Sequence, residues 1–387
     1  MTRIWAAPLV VLALAAAGGM PHAQQVTGSA DAAFEAQVAE YLRRYPYQQT
    51  YDYAMRFTGG DPARLNIWAV RGEPTLVRAG DDVIPRTNND TYYQSATLWL
   101  EDGPVVITAS ASARDRFTSL QLVDDRNVNY RNVIHPRGAY TLYFGRRPDR
   151  VHGEAIEVPS RFSIVLVRVE VKNQDDAADV AAARAVFKGL TIAGGTPARF
   201  PAVDLLSGYP EAAATEARRR MDETFANVPF SRLVVGPGQE PGRDVPALYH
   251  AAGTKGGWGG PDPSHSAYEA ILVDENGEAM EGRRGTYTVT TGEPPVDAFW
   301  SVTVYDTGRG GRLYPNAGNQ YHINNTMAVR NDDGSVTFTF KPACEAIDVN
   351  CLPVPAGRFD LVARYYLPRP AIISGAWTLP KVGLRKD

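Results

Sequence analysis

The chain has 387 residues, 44% of them hydrophobic and 21% charged, with a formal net charge of −3. This composition excludes a disordered or collagen-like chain, and the lack of a basic stripe or arginine-rich tail argues against a nucleic-acid binder. The length allows two or three domains with ample core.

Residues 1–23 have the pattern of a secretory signal. Arg3 supplies a positive start, residues 6–17 form an apolar run, and Gly18-Gly19-Met20-Pro21-His22-Ala23 breaks it with small or turn-forming residues. The run is shorter than the roughly 20 residues needed to span a bilayer, and no later segment qualifies. The expectation is a periplasmic or secreted mature chain without a stable membrane span. Cys344 and Cys351 are then expected to pair as a disulfide. Closing so short a loop contributes about 2–3 kcal/mol.

Phe34, Val38, Leu42 and Tyr45 recur at helical spacing, which predicts a helix over 31–45 that Asp31 caps and Pro46 ends. Strand patterns follow at 92–100, 104–108, 117–123, 140–144 and 162–171. Residues 175–190 and 211–225 read as helices, and Arg218-Arg219-Arg220 in the second reads as a solvated face. Residues 236–260 are a Gly/Pro-rich connection with little expected regular structure. Strands resume at 267–272, 285–290, 299–305, 336–340 and 359–366.

One internal echo organises these elements. Phe117-Thr118-Ser119-Leu120-Gln121-Leu122-Val123-Asp124 matches Phe299-Trp300-Ser301-Val302-Thr303-Val304-Tyr305-Asp306. In the same order, Arg161-Phe162-Ser163-Ile164-Val165-Leu166-Val167-Arg168 echoes Arg358-Phe359-Asp360-Leu361-Val362-Ala363-Arg364. The predicted fold is mainly β with a helical insert (α+β): two related β-sandwich-like units joined by a helical segment. The predicted division is an N-terminal helical segment at 24–60, a first β-unit at 61–173, a helical insert and connection at 174–262, and a second β-unit at 263–387.

Thr87-Asn88-Asn89-Asp90-Thr91-Tyr92-Tyr93-Gln94-Ser95, followed by Gly103-Pro104-Val105-Val106-Ile107, resembles the bacterial domain of unknown function 1254. The C-terminal half resembles domain of unknown function 1214. That likeness runs through Pro294-Pro295-Val296-Asp297-Ala298-Phe299-Trp300 to Asp306, and continues at Asn319-Gln320-Tyr321, Pro353-Val354-Pro355-Ala356-Gly357 and Gly375-Ala376-Trp377. The resemblance implies a β-rich, two-unit, often exported protein and supplies no reaction. The sequence has Gln320 where Arg is usual and Cys351 where Trp is usual, so the disulfide would take over that Trp's anchoring place.

The common chemical signatures are missing: no Gly-x-Ser-x-Gly elbow, no Gly-x-Gly-x-x-Gly or Walker loop, and no His-Glu-x-x-His. No cofactor and no metal is expected. The densest polar cluster is Asn88-Asn89-Asp90, which reads either as a self-bonded Asx turn or as a loop lining a cleft, with Asp90 as a general base. Tyr92 and Tyr93 point to opposite faces of one strand, so Tyr93 is open to stack on a ligand. Ser119 and Gln121, like Ser301 and Thr303, share a polar face that lines a pocket or meets solvent. Tyr321 and His322 form the second polar cluster, with His322 as a proton carrier, and Trp258 closes a cleft or plugs the core.

The predicted site therefore places Asp90 and His322 as catalytic residues and Asn88, Asn89, Tyr93, Trp258 and Tyr321 as binding residues, in a cleft between the units. The expected function is a hydrolase or lyase for a small polar or glycan-like compound. The alternatives are a non-catalytic periplasmic ligand-binding module and an envelope structural or assembly protein.

Overall fold

The structure is a computed structural model that describes residues 22–82, 84–110, 115–197 and 199–385. Most of the expected signal lies outside the described residues. Helix α1 spans His22–Thr58 and runs straight through Pro46, where the sequence predicts a stop. Proline removes a helical hydrogen bond and crowds the preceding turn, but tertiary packing holds both halves of this helix. Val38, Tyr41 and Leu42 pack against helices α3 (Glu211–Asn227) and α4 (Ala247–Gly257). Tyr51 and Ala54 pack with Trp99, Phe162 and Trp258. Helix α4 also corrects the expectation that 236–260 lacks regular structure. Arg219 and Arg220 pair with Glu216, Glu223 and Glu35 on the outer face of α3.

The first unit holds β1 (Thr91–Trp99), β2 (Val105–Ala109), β3 (Thr118–Asp124), β4 (Asn129–Ile134), β5 (Gly138–Tyr143), β6 (Glu154–Glu157), β7 (Phe162–Glu170), helix α2 (Ala177–Lys188) and β8 (Leu190–Gly194). Its strands form two sheets, ordered β1-β7-β3-β4 and β6-β5-β2-β8. The second unit holds β9 (Ser266–Ile271), β10 (Thr286–Thr291), β11 (Trp300–Asp306), β12 (Arg312–Leu313), β13 (His322–Asn324), β14 (Val336–Lys341), β15 (Cys351–Pro353), β16 (Phe359–Tyr366), a short helix α5 (Pro370–Ile373) and β17 (Gly383–Arg385). Its sheets are ordered β12-β11-β16-β9, with β13 also on β11, and β15-β14-β10-β17.

The two sandwiches repeat one topology. Strands β3 and β11 lie at the same sheet position, each between a C-terminal neighbour (β7 or β16) and short following strands. In the other sheets even the parallel pairs correspond, β5 with β6 and β14 with β15. Register sharpens the second echo. Asp124 faces Ser163 and Asp306 faces Phe359, so the start of that echo slips by one residue. At its other end Ser119 faces Arg168 and Ser301 faces Arg364, so the two closing arginines are equivalent.

Alternation decides which face is core. Leu120, Leu122, Val165 and Val167 pack on Val105, Ile107 and Leu142 inside the first sandwich. Val302, Val304, Leu361 and Ala363 pack on Val289, Phe338 and Leu352 inside the second. The opposite faces carry Ser119, Gln121 and Arg168 in one unit and Ser301, Thr303 and Arg364 in the other, all buried. These polar faces are turned toward the joint between the units and not to solvent. Phe117, Phe299 and Tyr366 plug the joint, with Phe299 stacked on Tyr366 at 3.9 Å. Cys344 and Cys351 form a disulfide at the edge of the outer sheet.

Candidate functional site

The segment leading into β1 is clamped to the second unit. Arg86 has φ 51°, a left-handed conformation that costs a non-glycine residue roughly 1–2 kcal/mol. Its position is over-determined: its amide donates to the Gly311 carbonyl at 2.7 Å, its carbonyl accepts from Arg364 at 2.8 Å, and its guanidinium pairs with Asp360. The next carbonyl, of Thr87, accepts from the Tyr305 hydroxyl at 2.6 Å.

Asn88 then closes an Asx turn, its Oδ1 accepting from the Asp90 amide at 2.8 Å. The Asp90 side chain is fully buried and crosses the joint. It accepts from the Ser301 hydroxyl and, at 2.8 Å, from the Tyr366 hydroxyl, which in turn accepts from Asn88 Nδ2. Asn89 turns the other way. Its Nδ2 donates to the Val77 carbonyl, and its Oδ1 lies 2.8 Å from His322 Nδ1. His322 is buried, and burial holds its pKa below the usual value while the nearby Asp90 charge pulls it up. Its Nε2 has no hydrogen-bond partner among the described residues.

The two predicted polar clusters thus converge across the joint, but they do not share one cleft. A cavity of about 260 Å³ lies beside them, between the polar faces of β1, β7, β9 and β16. Of the predicted residues, Asn88, Tyr93 and Trp258 line it, whereas Asn89, Asp90, Tyr321 and His322 do not. Asn89 and Tyr321 line a separate depression with Arg78, Gln174 and Arg184. Asp90 and His322 therefore sit behind the cavity wall, where neither reaches a molecule bound inside it.

The cavity walls are mostly apolar and aromatic. Tyr53 and Phe57 come from α1, Phe225 from α3, Leu166 from β7 and Val362 from β16. Trp258 stacks on Tyr53 at 4.3 Å and is fixed by an indole hydrogen bond to Thr50 at 3.0 Å. The glycines around Trp258 allow this wall to form. A Cβ on Gly256 would stand 2.2 Å from the Phe225 ring, and Gly259 takes φ 68°. Exposed Asp81, Pro85 and Ala270 mark the mouth.

The floor holds two arginines that sequence reading did not single out as site residues. Arg168 faces Tyr93 across the β1–β7 ladder, and Arg364 faces Tyr268 across β9–β16. Each guanidinium lies over its tyrosine ring, at 5.1 and 5.3 Å. Arg168 donates to the Tyr93 hydroxyl at 3.0 Å, to Gln121 Oε1 and to the Gly259 carbonyl. Arg364 donates to Thr303, Tyr305 and the Arg86 carbonyl, and its Nε has no hydrogen-bond partner among the described residues. Both are buried, and among the described residues neither forms an ion pair with a carboxylate. The signal was present in the sequence: both copies of the second echo end on these arginines.

Residues 69–193 match the domain described as a protein of unknown function, DUF1254, and residues 265–370 match DUF1214. The chain belongs to the family that pairs DUF1254 with DUF1214. No curated protein matches the chain. The crystal structure of the VPA0106 protein from Vibrio parahaemolyticus is similar in fold, with a TM-score of 0.71 at 18% identity over 91% of this chain and 100% of that one. An uncharacterised protein from Burkholderia cenocepacia gives a TM-score of 0.48 at 14% identity, over 94% of this chain and 98% of that one. In this DUF1254–DUF1214 chain the cavity is built from both domains and from the helices between and before them. Among the described residues, no His, Cys, Asp or Glu group is placed to hold a metal ion, and no helix is long and apolar enough to cross a membrane.

Proposed function

We propose that the chain is an exported ligand-binding protein whose site is the cavity between its two β-units, and that its ligand is a small organic molecule with an apolar body. The observation that carries this reading is the cavity itself: about 260 Å³ walled by Tyr53, Phe57, Phe225, Phe230 and Trp258 at a domain joint. Sites for small molecules favour such joints, with apolar walls and a few placed polar groups. An apolar cavity of about 150 Å³ accommodates benzene, so this larger one, open at its mouth, accepts a bulkier aromatic molecule that extends toward the mouth.

These walls suit an apolar body better than the glycan-like compound expected from the sequence. A sugar needs a hydrogen-bond partner for most of its hydroxyls, and Asn88 is the one side-chain amide among the lining residues. The hydrolase or lyase reading also loses support, because its two proton carriers, Asp90 and His322, are held behind the wall. Export rests on the signal-like pattern of residues 1–23 and on the disulfide, which oxidising compartments favour.

The test is a titration with the neutral fluorophore N-phenyl-1-naphthylamine. Saturable emission at one site is expected from the native chain, and its loss from Ser95→Trp, which fills the cavity from β1. Absence of saturable binding by the native chain, or equal binding by the folded variant, overturns the proposal.

A further inference from the structure

We propose that the cavity's ligand is a carboxylate, bound between Arg168 and Arg364. This inference rests on the reading of the cavity as the ligand site and adds the chemical class of the ligand. The two guanidiniums are buried, stand at equivalent positions of the two units, and line one cavity. Arginine keeps its charge in any protein setting, and a buried charge is costly unless an opposite charge or a full set of hydrogen bonds meets it.

Arg168 has only neutral acceptors: a tyrosine hydroxyl, an amide oxygen and a backbone carbonyl. The same holds for Arg364, whose Nε has no hydrogen-bond partner among the described residues. Other arginines that are at least partly buried are matched: Arg86 pairs with Asp360, and Arg116 with Asp179. Among the described residues Asp90 is the acid whose charge bears on Arg364, and both its oxygens are engaged by Ser301 and Tyr366. The floor therefore carries two cations against one anion, and a bound monoanion balances it.

A carboxylate fits this floor for a geometric reason. Guanidinium groups are planar forks that match a carboxylate edge. The tyrosines beneath them, Tyr93 and Tyr268, hold each fork in place through ring contact. Above the floor the walls are apolar. An arylalkanoic acid, with its ring against Trp258, Phe225 and Phe230 and its acid group on the floor, satisfies both halves of the cavity.

Three probes that differ only at one end test the inference: 4-phenylbutyrate, 4-phenyl-1-butanol and 4-phenylbutylamine, each displacing bound N-phenyl-1-naphthylamine from the native chain. The expected result is that the acid binds at least about tenfold more tightly than the alcohol, and that the amine binds more weakly than either, because a charged group discriminates strongly in a low-dielectric site. Arg168→Gln and Arg364→Gln, confirmed as folded by their thermal transitions, should each remove most of the acid's advantage over the alcohol. Equal binding of acid and alcohol overturns the carboxylate inference while the cavity reading stands. Tighter binding of the amine also overturns it and assigns recognition to Asp81, the carboxylate among the lining residues. Failure of the fluorophore itself to bind the native chain overturns the cavity reading and the inference with it.

Discussion

Arg168 and Arg364 are the same residue of a repeated unit, used twice in one place. Each faces a serine on one side, Ser119 or Ser301, and a tyrosine on the other, Tyr93 or Tyr268. Two sandwiches that repeat one topology turn these positions toward each other, so a single buried polar face per unit becomes a paired floor at the joint. The apolar faces of the same strands fill the two cores. Strand alternation alone separates the packing role from the site role.

Asp90 is expected to hold the joint together. Its carboxylate accepts from Ser301 and Tyr366 and lies close enough to Arg364 to interact with its charge. Asp90→Ala leaves two buried hydroxyls without their acceptor and removes the carboxylate charge that bears on Arg364. Breaking such a buried arrangement costs about 3–5 kcal/mol. Urea unfolding should show that loss, whereas His322→Asn should leave fluorophore affinity unchanged. An Asp90→Ala protein with native stability would refute this structural role.

Glu170 gives the stability a defined dependence on pH. Burial pushes its carboxyl up to about 7, against the hydrogen bond from the Phe117 amide. The folded chain keeps a proton there that the unfolded chain releases near pH 4.5, so this contribution to stability falls as pH rises from about 4.5 to about 7. Glu170→Gln removes the loss. The variant should exceed the native chain by about 1–3 kcal/mol near pH 8, and the gain should vanish near pH 4.5. A difference independent of pH would contradict the assignment.

The Cys344–Cys351 bridge closes a loop at the edge of the outer sheet, on the far side of a core from the cavity. Replacing both cysteines by serine should lower stability by about 2–3 kcal/mol in the chain-entropy account. Fluorophore affinity at the joint should not change. A fall in affinity that outlasts restored stability, for instance in a stabilising osmolyte, would show that the loop and the cavity are coupled.

The repeat, the sandwich-like units, the disulfide and the strand carrying Tyr93 were all legible in the sequence, because period-two alternation and a copied motif survive without tertiary information. Short strands such as β12, β13 and β17 were not, since two or three residues carry no periodicity. The run of α1 through Pro46 was hidden because packing from Leu42 and Tyr51 overrides a local signal. The polar clusters at Asn88 and His322 were visible, but not which of their residues line the cavity and which are held across the joint. Polarity marks residues that need partners, and here the partners are across the joint. The arginines were visible as the ends of an echo, yet only cross-strand register shows that they meet.

The central claim is that the joint between the units binds an organic acid on Arg168 and Arg364. The most direct measurement is diffraction from crystals of the full chain grown with saturating 4-phenylbutyrate. The account predicts the carboxylate within hydrogen-bond distance of both guanidiniums, with the phenyl ring against Trp258. A cavity without the acid at saturation, or the acid bound away from both arginines, would contradict it.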